Sequence, residues 1–259
     1  MAFEALLEKI HESTGIVFLK NRAIVENKIT RFYEQKGFEN FESFFSTFEQ
    51  EQTLYQELLD LITTSETYFN REYPQIEAAC KLVASAHSKM KILSAPCASG
   101  EEAYSLLFRF LEASIEEEKF DIYALDINSQ EIQKAKEGLY TQRRIQRVSS
   151  EMLEKYFIEE DEHYRVKPHF RDSIHFENRN IFEGMPEQCS NFDIIFSRNM
   201  LIYFDKEAQE RAEIFFYEKL AVGGVLFLGH ADKIPNSVGF EKIYIDGAIA
   251  YVKKEKETV

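Results

Sequence analysis

Ser94-Ala95-Pro96-Cys97-Ala98-Ser99-Gly100-Glu101-Glu102-Ala103-Tyr104-Ser105 joins two different patterns. Before it, residues 90–94 form a short, mostly apolar run that reads as a buried strand. After it, residues 103–116 carry apolar positions at helical spacing. A turn of small residues between strand and helix is where an α/β sheet lets backbone approach a cofactor. This turn ends in two carboxylates, not in the Lys-Ser/Thr of a phosphate-binding loop. Carboxylates are stable at a helix N-terminus. They repel phosphate and attract an ammonium or a ribose hydroxyl. S-adenosylmethionine (SAM), with its amino group and sulfonium, fits that description.

Outward from this turn, strands and helices alternate. Residues 76–86 read as a helix, 120–126 as a strand and 129–137 as a helix. Further on, 192–197 is a strand, 206–220 a helix and 225–229 a strand after Gly223-Gly224. Residues 240–245 and 248–253 flank Asp246-Gly247, a hairpin signal. The pattern predicts an α/β fold with a mostly parallel, doubly wound sheet and an antiparallel edge. Residues 140–180 break the alternation. A short helix at 149–157, then strands at 164–166 and 174–176, predict a small β insertion over 158–178. Upstream, residues 1–72 are helical throughout, with Gly37 as a C-cap and Asn40 as an N-cap. The predicted division is a helical domain with linker at 1–72 and an α/β domain at 73–259.

The chain has 259 residues, with 45 acidic against 31 basic side chains and a net charge of -14. That balance argues against nucleic acid, which needs a basic footprint. Cys80, Cys97 and Cys189 are odd in number and form no C-x-x-C pair, as expected for reduced thiols in the cytoplasm. No apolar run approaches membrane-spanning length, so a soluble, cytoplasmic protein is expected. His163, His169 and His175 recur every six residues, which is not a metal-ligand spacing, and no metal is expected.

Several polar groups fall where such sheets bind ligands, at the carboxyl ends of strands. Gly100-Glu101-Glu102 is the first. Asp126 lies at the end of the second strand, placed to hold ribose hydroxyls, although Asp there is also a common N-cap. Asn180-Ile181 follows the next strand. Asn180 can read an adenine edge, but taken alone it reads first as an ordinary turn residue. Arg198, Asn199 and Tyr203 follow the strand at 192–197. At the domain junction, Thr63-Thr64-Ser65-Glu66-Thr67-Tyr68-Phe69-Asn70-Arg71-Glu72 is a polar cluster that capping alone does not explain.

These stretches together resemble the CheR-type chemotaxis receptor methyltransferases, over essentially the whole chain. The matching segments are 63–72, 94–105, 124–128, 192–205 and 223–230. The resemblance implies a SAM-dependent methyltransferase that esterifies glutamates in the cytoplasmic methylation region of chemoreceptors, leaving S-adenosylhomocysteine. It implies that Thr67 and Arg71 touch the cofactor from the linker. Glu101 and Asp126 would hold its methionyl or ribose end, and Asn180, Ile181, Arg198 and Asn199 would line the rest. Arg71 and Tyr203 would flank the methyl group. Ser65 stands where the family usually has Asn, with a shorter side chain and no amide. Ala98 and Ala103 replace the commoner Ser and Pro. Lys20, Arg22, Lys28 and Arg31 form a candidate basic face for the receptor, with Lys28 and Arg31 on one face at helical spacing beside apolar Ile24. In some relatives the β insertion docks a receptor peptide through a glycine-containing loop. Here residues 158–163 are acidic and lack glycine, so independence from that tether is expected.

Two other readings stay open at this level. One is a SAM-dependent methyltransferase acting on a small molecule or nucleic acid, since Asn199 with Tyr203-Phe204 is faintly similar to amino-methyltransferases that act on bases. The other is a SAM-binding module without catalysis.

Overall fold

The computed structural model describes residues 2–18, 21–63, 65–185, 189–235 and 239–255. Four helices come first: α1 (Ala2–Thr14), α2 (Arg22–Gln35), α3 (Phe41–Phe48) and α4 (Gln52–Ile62). The Asn40 carboxamide accepts from the Ser43 amide (2.9 Å) and starts α3. Gly37, at φ 83°, closes α2 in a conformation that side chains disfavour. Leu6, Ile10, Ile29, Phe44 and Leu58 face inward at helical spacing and are wholly buried. They form this unit's own core.

The second part begins at α5 (Tyr73–Ser85), then β1 (Met90–Ser94), α6 (Glu101–Glu112), β2 (Phe120–Asp126) and α7 (Ser129–Glu137). Next come β3 (Leu139–Thr141), α8 (Gln142–Ile145), α9 (Ser150–Tyr156), β4 (Phe157–Glu160), β5 (His163–Val166) and α10 (Pro168–Asp172). The chain then runs through β6 (Ile174–Asn178), β7 (Phe192–Ser197), α11 (Lys206–Lys219), β8 (Leu220–Leu228), β9 (Phe240–Ile245) and β10 (Ala248–Lys253). Seven strands form one sheet in the order β6-β2-β1-β7-β8-β10-β9. Pairings from β6 through β8 are parallel, and β10 runs antiparallel to both β8 and β9. Successive residues of each central strand serve opposite faces. Ile92, Ile122 and Ile194 pack under α5, α6 and α7. Leu93, Leu125 and Ile195 pack against α11. The order reverses between β1 and β7, and that switch point is where ligand crevices open.

The region after α7 differs from the sequence expectation. Ile174–Asn178 belongs to the main sheet, paired in parallel with β2 from Ile122↔Ile174 to Asp126↔Asn178. The expected insertion over 158–178 therefore gives up its last strand. The separate small sheet is β3-β5-β4, and its first strand starts earlier, at Leu139. Pro168 explains the difference. It sits in the first turn of α10, where a fixed φ and a missing N–H suit a helix start, so no hairpin joins β5 to β6. α6 ends at Glu112, short of the expected 116, with Ser114 at φ 58° breaking the helix. Asp246 and Gly247 both have positive φ (49° and 85°), the geometry of a tight two-residue hairpin.

Candidate active site

Four strand ends meet at the switch point, and a cleft of about 600 Å³ lies between them and the N-terminal helices. The turn after β1 is built by hydrogen bonds to the neighbouring strand end. The Cys97 amide donates to the Leu125 carbonyl (2.8 Å), and the Ala98 amide donates to Asp126 Oδ2 (2.8 Å). Asp126 Oδ1 accepts from the Asn128 amide (2.8 Å). Gly100 is required here. Its φ is 91°, and a Cβ would stand 3.0 Å from Ala135 and 3.1 Å from the Phe176 ring. The Asp126 carboxylate is buried, which pushes its pKa up to about 6 despite those two amides.

The two glutamates after Gly100 part company. Glu101 has no exposed surface and does not line the cleft. Its carboxylate accepts from the Ser99 hydroxyl (2.9 Å) and lies 3.5 Å from Arg144. Burial raises its pKa to about 7. Glu102 is the one on the cleft wall. It accepts from the Ser94 hydroxyl (2.7 Å) and from Arg198 Nε. Arg198 is 6% exposed, and its Nη1 donates to the Arg71 carbonyl (2.6 Å). One buried arginine thus ties the end of β7 to α6 and to the linker.

Ser65, Thr67 and Arg71 line the cleft from that linker. Arg71 Nη1 donates to the Glu66 carbonyl (2.8 Å), and its guanidinium lies 5.8 Å from the centre of the Tyr68 ring. Among the described residues it meets no carboxylate, whether of Glu66 or of Glu72. Asn180 and Ile181 also line the cleft. The Asn180 side chain is already engaged, donating to the Ser13 carbonyl (2.7 Å) and accepting from the Phe182 amide (3.0 Å). It joins the two parts of the molecule. Asn199 adopts φ 60°, and its Oδ1 is buried without a hydrogen-bond partner. An orphaned buried acceptor calls for a donor from outside the protein, on a ligand or an ordered water. Together with the Asp126 carboxylate, it makes this site a fit for a guest carrying an ammonium and hydroxyls, as SAM does.

Tyr203 is on the same wall, half-exposed. Sequence reasoning missed what holds it. The Val17 amide donates to the Tyr203 carbonyl (2.9 Å), and Ile16 bridges Phe204, so the segment after α1 is part of the cleft. It also missed Asp232, which accepts from the Asn199, Ile202 (3.2 Å) and Gly229 (3.1 Å) amides. That carboxylate sets the loop from Arg198 to Tyr203 against the end of β8. An Asp three residues after a strand-ending glycine is the only local signal for it.

The expected basic face on α2 is thinner than its sequence. Arg22 pairs with Glu4 and Glu26, and Lys28 turns into the cleft to donate to the Leu61 carbonyl (2.8 Å). Arg31 remains exposed, and Lys20 lies outside the described residues. No group of three or more His, Cys, Asp or Glu side chains placed to hold a metal occurs among the described residues, nor any helix long and apolar enough to cross a membrane.

A parallel switch-point crevice with a carboxylate-ended first turn and an Asp at the second strand end defines the SAM-dependent methyltransferase class. Two family descriptions match: "CheR methyltransferase, all-alpha domain" over residues 1–63 and "CheR methyltransferase, SAM binding domain" over residues 65–248. The chain belongs to the CheR methyltransferase family. It is 38% identical to a chemotaxis protein methyltransferase of Campylobacter jejuni over 94% of this chain and 93% of that one. It is 32% identical to chemotaxis protein methyltransferase 2 of Vibrio cholerae over 86% and 82%.

Proposed function

We propose that this chain transfers the methyl group of SAM to glutamate side-chain carboxylates of chemotaxis receptors, giving glutamyl methyl esters in the cytoplasm. The observation that carries the reading is Arg71, a guanidinium on the cleft wall without a carboxylate partner of its own. SAM supplies an electrophilic methyl on a sulfonium. The substrate carboxylate is ionised at neutral pH, so the protein needs no general base. Its work is positioning and exclusion of water. Arg71 orients the incoming carboxylate through a forked hydrogen bond. Tyr203, also on the cleft wall, fixes the approach. Asp126 accepts from ribose hydroxyls, and Asn199 Oδ1 accepts from a donor on the cofactor. Ser65, Thr67, Ile181 and the Arg198 backbone shape the remaining surface. Glu101 acts from beneath, holding Ser99 and Arg144 behind the turn.

The test is transfer from methyl-labelled SAM to a chemoreceptor cytoplasmic fragment, followed by base. Label released as volatile methanol marks a carboxyl ester. SAM binding with no transfer refutes the assignment. Fragments with and without the receptor's C-terminal peptide are expected to be methylated at equal rates. The support is the β4–β5 turn, which is only Asp161-Glu162, acidic and without glycine.

Cofactor affinity is expected to depend on pH through Asp126. Its carboxylate titrates near pH 6 and must be ionised to accept from two hydroxyls. At pH 5 only about a tenth of it is ionised, so the SAM dissociation constant rises about tenfold from its value at pH 7.5. Unfolding does not mimic this. An acid whose folded pKa lies above its ordinary value takes up protons on folding, so its contribution to stability falls as pH rises from about 4 through 6. Calorimetric titration of Asp126→Asn should give weak binding at both pH values, with the pH dependence gone. An unchanged dependence in that variant removes Asp126 from this role.

A further inference from the structure

The linker that carries Thr67 and Arg71 is stitched to the segment beginning with α8. The Phe69 amide donates to the Arg144 carbonyl (3.1 Å), and Asn70 Nδ2 donates to the Arg147 carbonyl (2.9 Å). In return the Arg144 guanidinium donates to the Thr67 carbonyl. This seam sets Arg143 and Arg147 beside the cleft mouth. The Tyr68 ring takes guanidinium groups from both sides of the seam, Arg147 at 4.6 Å and Arg71 at 5.8 Å from its centre. Among the described residues Arg147 meets no carboxylate. Arg143 has only Glu66 at 3.5 Å, and the two side chains are 82% and 86% exposed. Such a pair is worth little in water.

Two arginines on one tyrosine ring, with Arg143 a few residues away along the same segment, are conspicuous in a chain of net charge -14. Elsewhere several surface arginines are matched, as Arg22, Arg109, Arg165 and Arg179 each pair with a glutamate. Unmatched guanidiniums beside each other repel, and an anionic partner relieves that repulsion. The α2 helix offers less, since Arg22 is matched and Lys28 is turned inward.

We propose that Tyr68, Arg143 and Arg147 form a docking surface for an acidic segment of the protein substrate, the carboxylates flanking the glutamate that Arg71 receives. The inference rests on the glutamate-methylating reading above. Charge complementarity argues for the occupant, and continuity with Arg71 gives its place. A polyphosphate strand is disfavoured because the rest of the molecule repels it.

The test compares the unmodified protein with Arg143→Glu/Arg147→Glu. Both side chains are exposed, and the seam uses the backbone carbonyls of Arg144 and Arg147, not the side chains replaced, so SAM affinity and melting temperature serve as folding controls. With a chemoreceptor cytoplasmic fragment as substrate, KM is expected to rise about tenfold to a hundredfold while kcat holds. Replacing acidic residues near the methylated glutamate by lysine should lower KM for the variant and raise it for the unmodified protein. Raising ionic strength from about 0.05 to 0.5 M should raise KM of the unmodified protein and leave the variant's nearly flat. Normal transfer with an unchanged KM in the variant, or a KM of the unmodified protein that ignores salt, overturns the surface alone. No transfer by the unmodified protein, despite SAM binding, overturns the glutamate reading and the surface with it.

Discussion

Arg71→Ala is expected to lower kcat for methyl transfer about a hundredfold to a thousandfold, the loss typical when one preorganised polar group is removed from a reacting centre. The geometry makes the direction specific. Arg198 holds the Arg71 carbonyl, and the Glu66 carbonyl takes one guanidinium N–H, so backbone and side chain are both fixed before substrate arrives. The remaining donors have no carboxylate to satisfy among the described residues. On the proposed reading, a substrate glutamate entering the cleft takes two of them in parallel. Correct alignment of its oxygen with the methyl carbon is then set by the protein. Arg71→Lys keeps the charge and loses the fork, so it should recover only a minor part of the rate. SAM affinity, measured separately by calorimetry, should weaken far less than kcat. If the whole effect appears as a higher KM for receptor with kcat intact, Arg71 binds substrate without orienting it.

The difference between Arg71 and its neighbours shows what a sequence can reveal. β1, β2, α7, β7, β9 and β10 occupy the residues expected of them, because each is bounded by a local signal. These signals are an apolar run, an Asn or Asp cap, or a two-residue turn. β6 reads from sequence as part of the small sheet because Ile174, His175 and Phe176 alternate as well for a small hairpin as for a sheet edge. Only pairing with Ile122 and Ala124 decides between them. The same limit hid the strand order β8-β10-β9, in which the last strand enters between its two predecessors. In the site, Gly100, Asp126 and the polar residues after β7 announce themselves by position at strand ends. Glu101 and Glu102 do not announce which of them faces the cleft. Adjacent helical residues point about 100° apart, and here Arg198 and Arg144 claim one each. Val17 and Asp232 were invisible for a related reason. Both act through contacts with backbone groups far away in sequence, Val17 with Tyr203 and Asp232 with Asn199 beyond α11 and β8, and nothing in their own surroundings marks them.

Glu102→Ala is expected to destabilise the α/β part of the molecule by about 3–5 kcal/mol, because it strips the carboxylate from a buried arginine. Arg198 and Glu102 are 6% and 7% exposed, so water cannot replace the lost partner. The Ser94 hydroxyl loses its acceptor in the same step. Glu72 offers no rescue as placed, with its nearer oxygen 3.9 Å from Arg198. Denaturant unfolding followed by far-UV circular dichroism measures the loss directly. Stability and function can then be separated. In Glu102→Leu/Arg198→Met both charges are gone and similar volume is restored, which for buried pairs is often close to neutral in stability. That double variant should therefore unfold near the unmodified protein yet remain nearly inactive. It no longer holds the Arg71 carbonyl, and the cleft wall where Glu102 stood is apolar. A single variant within about 1 kcal/mol of the unmodified protein would show that the pair is solvated in solution. A stable, fully active double variant would show that Arg71 keeps its place without Arg198, and the positioning argument for the buried pair would fall.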